Sequence, residues 1–235
     1  MFNPQQQLPL ALGLKDSAVF ANFVAAENAE AVAYLQGLVD TDSTPPVYLW
    51  GENASGKSHL LQALCHAAGE RSEAAVYLPM QEVISYPYES LQGLENMRLV
   101  CIDDIDAIAG HVNWEAAVLR LFERAHSNRC LLVLTATALV NDIGLRLPQL
   151  ASRLAWGLVY HLKPLTQDND ALEQALLIRA ERRGIQLADA ATRYLLRHYG
   201  QNAEILFSSL DRLDQASLIA KRRLTVPFIR SILGS

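Results

Sequence analysis

The sequence predicts an α/β nucleotide-binding domain, a five-stranded parallel sheet flanked by helices, followed by a small all-α domain. Three observations predict it. Short apolar runs without polar alternation recur between longer amphipathic stretches, as in strands buried on both faces of a helix-covered parallel sheet. The first run leads into Gly51-Glu52-Asn53-Ala54-Ser55-Gly56-Lys57-Ser58, a complete GxxxxGK[ST] loop. The run at 99–103 ends in two carboxylates, Asp103 and Asp104.

Taken in order, residues 1–14 are rich in Gln, Pro and Leu, show no helical or strand period, and are expected to form a flexible arm. Positions 17–39 set Phe20, Phe23, Val24, Ala31, Tyr34, Leu35 and Leu38 at helical spacing, and 40–46 carry a loop signal ending in two prolines. A strand at 47–50 precedes the glycine-rich loop, and a helix over 58–68 follows it with Gly69 as its expected stop. Further strands are expected at 74–80, 99–103, 131–136 and 157–162, with a helix over 114–126. After Leu165 only helical patterns remain: 167–183 up to Gly184, 188–199 up to Gly200, 202–221, and a last helix from Thr225 with Pro227 in its first turn. The expected organisation is an arm over 1–14, a nucleotide-binding domain over 15–163 and a helical lid over 164–235.

Composition narrows the function. Of 235 residues, 51% are apolar and 19% charged, which excludes global disorder. Twenty basic against 25 acidic residues give a net charge of −5, so little direct DNA binding is expected. Cys65, Cys101 and Cys130 are widely spaced, form no CxxC pair, and read as buried thiols of a reducing cytosol. The N-terminus lacks a basic leader, and no apolar run approaches the roughly 20 residues that span a bilayer, so a cytoplasmic protein without a membrane partner is expected.

The chemistry concentrates in two places. In the glycine-rich loop, Gly51 and Gly56 permit the backbone to bend around a phosphate, so that successive N–H groups converge at a helix N-terminus whose dipole favours anions. Glu52, Asn53, Ala54 and Ser55 form the body of that cradle, and His59 follows it on the helix. Lys57 would place its ammonium on the β- and γ-phosphates, and Ser58 would offer a hydroxyl to Mg2+. At the end of the third strand Asp103 would hold Mg2+ through water, and Asp104 would polarise an attacking water, the Walker B arrangement. His59 and His66, seven positions apart, read as packing or surface residues rather than metal ligands, and Trp50 and Trp114 as core or interface aromatics. Lys221, Arg222 and Arg223 near a helix end most simply suit the helix dipole, the alternative being a DNA or partner contact.

These residues suggest a family. The loop, CIDDIDAIAG at 101–110 and LPQLASRLAWGLVYHLKPL at 147–165 resemble the AAA+ module of the bacterial replication initiator DnaA. The stretch Ser152-Arg153-Leu154-Ala155-Trp156-Gly157 is close to the SRxxWG of that family. The sequence ends at Ser235, where an initiator would continue into a DNA-binding helix-turn-helix, and so resembles the short branch of the family that regulates the initiator. LFSSLDRLDQAS at 206–217 and KRRLTVPF at 221–228 also resemble that branch, and Gln5-Gln6-Gln7-Leu8-Pro9-Leu10 is similar to its QxxLPL clamp-binding peptide. The resemblance implies binding of ADP or ATP, or of another nucleoside diphosphate, with Mg2+. It implies two partners, DnaA and the sliding clamp of DNA polymerase III (its beta subunit), and allows a homo-oligomer. Clamp contacts are implied at Gln5, Leu8, Pro9 and Leu10, and Arg153 is implied as an arginine finger supplied in trans to DnaA-bound ATP.

Two positions depart from the family pattern. Thr137 stands where an Asp is usual after the fourth strand, the sensor 1 position, and Glu204 stands where the sensor 2 arginine is expected. Glu204 would either repel a triphosphate or turn away from it. Both departures predict weak intrinsic hydrolysis and favour a diphosphate. The competing reading is a helicase-loader-type ATPase that uses its own Lys57, Asp103 and Asp104.

Overall fold

All five strands join one parallel sheet in the computed structural model, which describes residues 18–41, 45–165, 168–220 and 222–234. The strands are β1 (Val47–Trp50), β2 (Ala75–Pro79), β3 (Leu99–Asp103), β4 (Leu131–Ala136) and β5 (Leu158–His161), and they lie in the order β2-β3-β4-β1-β5. The helices are α1 (Ala29–Leu38), α2 (Lys57–Glu70), α3 (Met80–Val83), α4 (Val112–Asn128), α5 (Pro148–Ala155), α6 (Asn169–Arg182), α7 (Asp189–Tyr199), α8 (Ala203–Ala220) and α9 (Val226–Leu233). The arm, with Gln5, Leu8, Pro9 and Leu10, lies outside the described residues, as do 42–44 of the expected loop, Gln167 and Lys221.

Period-two alternation sorts the strand residues onto two cores. Leu99 and Cys101 of β3, Leu131 and Val133 of β4, and Val47 and Leu49 of β1 pack on one face against Leu35 and Leu38 of α1 and Leu60, Leu61 and Leu64 of α2. Val100 and Ile102, Leu132 and Leu134, and Tyr48 pack on the other face against Val118, Leu121 and Phe122 of α4 and Leu150 and Leu154 of α5. Burial on both faces explains why these strands read as unbroken apolar runs, and each fully buried leucine contributes roughly 1.5–3 kcal/mol. Trp114 belongs to the second core, while Trp50 is half-buried and stacks on His161 at a centroid distance of 3.8 Å. All three cysteines are buried as free thiols.

A third core joins α6, α7, α8 and α9 through Leu172, Leu176, Leu195, Leu206, Leu210, Leu213 and Ile229. Asp168 caps α6 by accepting from Ala171 N at 2.9 Å, as sequence logic expects of an Asp before an amphipathic run. Ala54, from the glycine-rich loop, and Leu165 pack against this core.

Two local expectations are corrected. The helical spacing over 17–39 yields only α1. Phe20–Asn22 and Ala26–Asn28 are single 3-10 turns, and Ala26 takes a left-handed φ of 44°. Tertiary contacts override the period there: Phe20 and Phe23 pack onto the α2 face of the sheet, and buried Asn28 exchanges hydrogen bonds with the backbone of Lys163. Gly69 is not a helix stop either, because α2 continues to Glu70. The reversal falls to Ser72, at a left-handed φ of 58°, and the Glu73 N–H closes the turn on the Ala68 carbonyl at 3.0 Å.

Candidate functional site

Strand parity builds the site. Asp103 follows Leu99 and Cys101, Thr135 follows Leu131 and Val133, and Tyr77 follows Ala75, so all three side chains emerge on the α2 side. Asp103 and Thr135 sit toward the carboxyl ends of β3 and β4, where the glycine-rich loop leaves β1, and Tyr77 reaches them from the middle of β2. This edge is where open parallel sheets hold ligands.

The loop has the shape of an anion cradle. Gly56 caps α2 with a φ of 96°, and a Cβ there would lie 2.5 Å from the Phe23 ring. A Cβ on Gly51 would lie 2.3 Å from the Leu162 carbonyl oxygen, so the loop closes only without side chains at both positions. Ser55 Oγ is buried inside the loop without a hydrogen-bond partner. Lys57 is buried, and its Nζ donates to the carbonyls of Gly51 at 2.7 Å and Glu52 at 3.0 Å. Burial lowers the Lys57 pKa, and Asp104, Asp103 and Asp106 oppose that shift. An ammonium held by neutral carbonyls near three carboxylates is ready to exchange them for a phosphate. Glu52 and Asn53 are exposed at the crown of the loop.

Behind the loop, the carboxylates are organised by hydroxyls. Asp103 is 3% exposed. It accepts from the Tyr77 hydroxyl on Oδ2 at 2.6 Å and from Thr135 Oγ1 on Oδ1. Thr135 Oγ1 also accepts from the Asp104 N–H at 2.9 Å, which helps hold Asp104 in a left-handed conformation at φ 52°. The Asp104 carboxylate accepts from Gln81 at 3.0 Å. Its pKa is pushed up to about 6, first by burial and then by Asp103 and Asp106, against the pull of Lys57 and Gln81. The pKa of the Tyr77 hydroxyl is raised by burial and by Asp103, against a smaller lowering by Gln62 and Ser58 of α2. Thr137 is exposed, and Asp106 engages it twice, accepting from its hydroxyl and, at 3.2 Å, from its N–H.

The segment before α1 drapes over the loop. The Phe23 ring meets His59 edge-on at 5.3 Å, and His59 Nε2 lies 3.1 Å from both the Val19 carbonyl and Asn22 Oδ1. Two acceptors at one nitrogen require it to carry the proton. Burial lowers the His59 pKa, against the hydrogen bond to Val19, which raises it.

Arg153 lies apart from this cluster, exposed on the last turn of α5, and makes no ion pair among the described residues. Trp156 beside it is 56% exposed and contacts His126 edge-on. Glu204 is exposed in the first turn of α8, where the helix dipole favours a carboxylate.

The structure therefore gathers Lys57, Ser58, Asp103 and Asp104 and leaves Arg153, Thr137 and Glu204 outside that group. Sequence reasoning passed over Tyr77, Thr135, Gln62, Gln81 and Asp106. Thr135 left a trace, as a polar residue at the end of an apolar run. Tyr77 left none, because a tyrosine in a strand reads as packing.

The profile of the bacterial DnaA ATPase domain matches residues 14–161, and that of the lid domain of Hda matches 168–233. Domain III of the Thermotoga maritima replication initiation protein DnaA superposes with a TM-score of 0.81 at 17% identity, covering 94% of this chain and 97% of that one. AMPPCP-bound DnaA from Aquifex aeolicus gives 0.69 at 18% identity, covering 87% of this chain and 67% of that one. RuvB of Thermotoga maritima gives 0.60 at 16%, covering 89% and 67%. Among the described residues no helix is long and apolar enough to cross a membrane.

Proposed function

We propose that this chain, which belongs to the bacterial DnaA ATPase-domain family and ends in an Hda-type lid, is a nucleotide-bound regulator that stimulates hydrolysis of DnaA-bound ATP. Arg153 carries the reading. A guanidinium that is exposed and free of ion pairs among the described residues, on a short helix at the edge of the sheet, can reach a neighbouring subunit. Near the γ-phosphate of DnaA-bound ATP it would offset the charge developing in the transition state, worth roughly 10³–10⁵ in rate. Gln5, Leu8, Pro9 and Leu10 would dock the chain on the sliding clamp as an extended apolar plug with a polar anchor. The clamp would then hold Arg153 and DnaA at high effective concentration.

The chain's own site fits a nucleotide, ADP in this reading. The cradle excludes side chains at Gly51 and Gly56, and the buried Ser55 Oγ lacks a partner. When bound, Mg2+ would supply charge neutralisation, held by Ser58 and through water by Asp103. Lys57 would move from the loop carbonyls to the terminal phosphate, and Asp104 would orient water. Intrinsic hydrolysis would be weak. The Thr137 hydroxyl is already committed to Asp106, and the exposed Glu204 supplies no cation over the phosphates.

The test is hydrolysis of DnaA-bound ATP with DNA-loaded clamp. Stimulation by the intact chain should fall about 10³-fold in Arg153→Ala, and clamp docking should be lost when Leu8 and Pro9 are both replaced by Ala. A folded chain that gives no stimulation overturns the reading.

A further inference from the structure

The glycine-rich loop is braced from outside by the chain before α1. There Phe20–Asn22 forms a single 3-10 turn, in which Asn22 Oδ1 accepts from the Val19 N–H at 3.2 Å and the Asn22 N–H donates to the Val19 carbonyl at 3.2 Å. One such turn is too short to hold itself and depends on its tertiary contacts. His59, in the first turn of α2, fastens it: its Nε2 lies 3.1 Å from the Val19 carbonyl and from Asn22 Oδ1, the two oxygens that close the turn. Phe23 follows directly. Its ring meets His59 edge-on and presses on Gly56, where a Cβ would lie 2.5 Å from it. Gly56 takes a left-handed φ of 96° just where the loop turns into α2. Helix α6 of the lid packs against the same 3-10 turn.

We propose that His59 is a positioning residue of the glycine-rich loop: by fastening the Val19–Phe23 segment it keeps Phe23 against Gly56, and so couples retention of a bound nucleoside diphosphate to the order of that segment. The inference rests on the nucleotide-binding reading above. His59 touches no phosphate in this role and acts through Phe23. The coupling is reciprocal. A segment whose order tightens nucleotide binding is itself stabilised, to the same extent, by the nucleotide.

His59→Phe keeps a ring beside Phe23 and removes the donor, while His59→Gln returns an N–H at similar reach. Two readouts are needed on the full chain: hydrogen exchange at the amides of 19–23, without nucleotide and with saturating ADP, and stopped-flow release of a fluorescent ADP analogue. A thermal melt confirms folding. In the wild type ADP should slow exchange over 19–23. In His59→Phe exchange there should quicken about 3–10-fold without nucleotide, and release of the analogue should quicken by a similar factor, with His59→Gln recovering most of both. Exchange that quickens while release stays the same overturns the proposal and leaves His59 as a structural tie. Release that quickens while exchange over 19–23 stays the same overturns it too, because the effect would not pass through the segment. Wild-type protein that binds ADP without any slowing of exchange over 19–23 overturns the coupling with no variant needed, and leaves nucleotide binding intact. Wild-type protein that binds no ADP overturns both readings.

Discussion

Asp104 lies among Asp103, Asp106 and Lys57, and the balance leaves its pKa raised to about 6, from 3.8 in the unfolded chain. Between these values the folded protein holds a proton that the unfolded chain has released. The group therefore costs no stability below pH ~4, costs progressively more as pH rises through the window, and exacts its full cost above pH ~6. Asp104→Asn should raise stability at pH 7.5 in magnesium-free buffer, with a gain that shrinks toward pH 4.5. Urea denaturation across that range checks it, and a gain independent of pH would show that the charge is not the cause. The carboxylate crowding that raises Asp104 also favours a cation at this place.

At the scale of elements, the short helix α5 depends on a residue far from it in sequence. Glu115, in the first turn of α4, is fully buried. Its carboxylate accepts from the N–H groups of Gly110 at 2.8 Å, Arg146 at 2.9 Å and Leu147 at 2.7 Å. It thereby fixes the turn that leads into Pro148 and starts α5. Glu115→Ala leaves these N–H groups without their acceptor and should cost about 3 kcal/mol in chemical denaturation. Hydrogen exchange should accelerate over 146–155. Stimulation of DnaA-bound ATP hydrolysis should weaken although Arg153 is unchanged. Unaltered exchange in that segment would mean that α5 is held by its Leu150 and Leu154 contacts alone.

For the whole molecule, the join between sheet and lid matters most. Asn28 donates to the Lys163 carbonyl at 2.9 Å and accepts from the Lys163 N–H at 2.8 Å, while Glu27 pairs with the Lys163 ammonium. This clasp ties the segment before α1 to the chain just before it enters the lid. The same segment lies over Gly56 and His59, and Ala54 of the loop packs on the lid core. The glycine-rich loop, the segment before α1 and the lid therefore share contacts. Asn28→Ala should cost about 2 kcal/mol and speed release of a fluorescent ADP analogue, which stopped-flow dissociation measures. Unchanged release would show that the lid is positioned without the clasp.

The sequence by itself determined the strands, the glycine-rich loop and the succession of lid helices, because these depend on local period and on residues that only a few backbone conformations accept. The runs at 47–50, 99–103 and 131–136 and the loop at 51–58 stand in the structure where the pattern puts them. Tertiary structure alone decided the rest. A helical period at 17–28 gave way to packing on the sheet and to the Asn28 clasp. Tyr77, Thr135 and Gln81 reached Asp103 and Asp104 across 23 to 32 positions of sequence. Hydrogen-bond partners so distant in the chain leave no period behind. They meet because a parallel sheet brings the ends of β2, β3 and β4 to one edge, beside the first turn of α2.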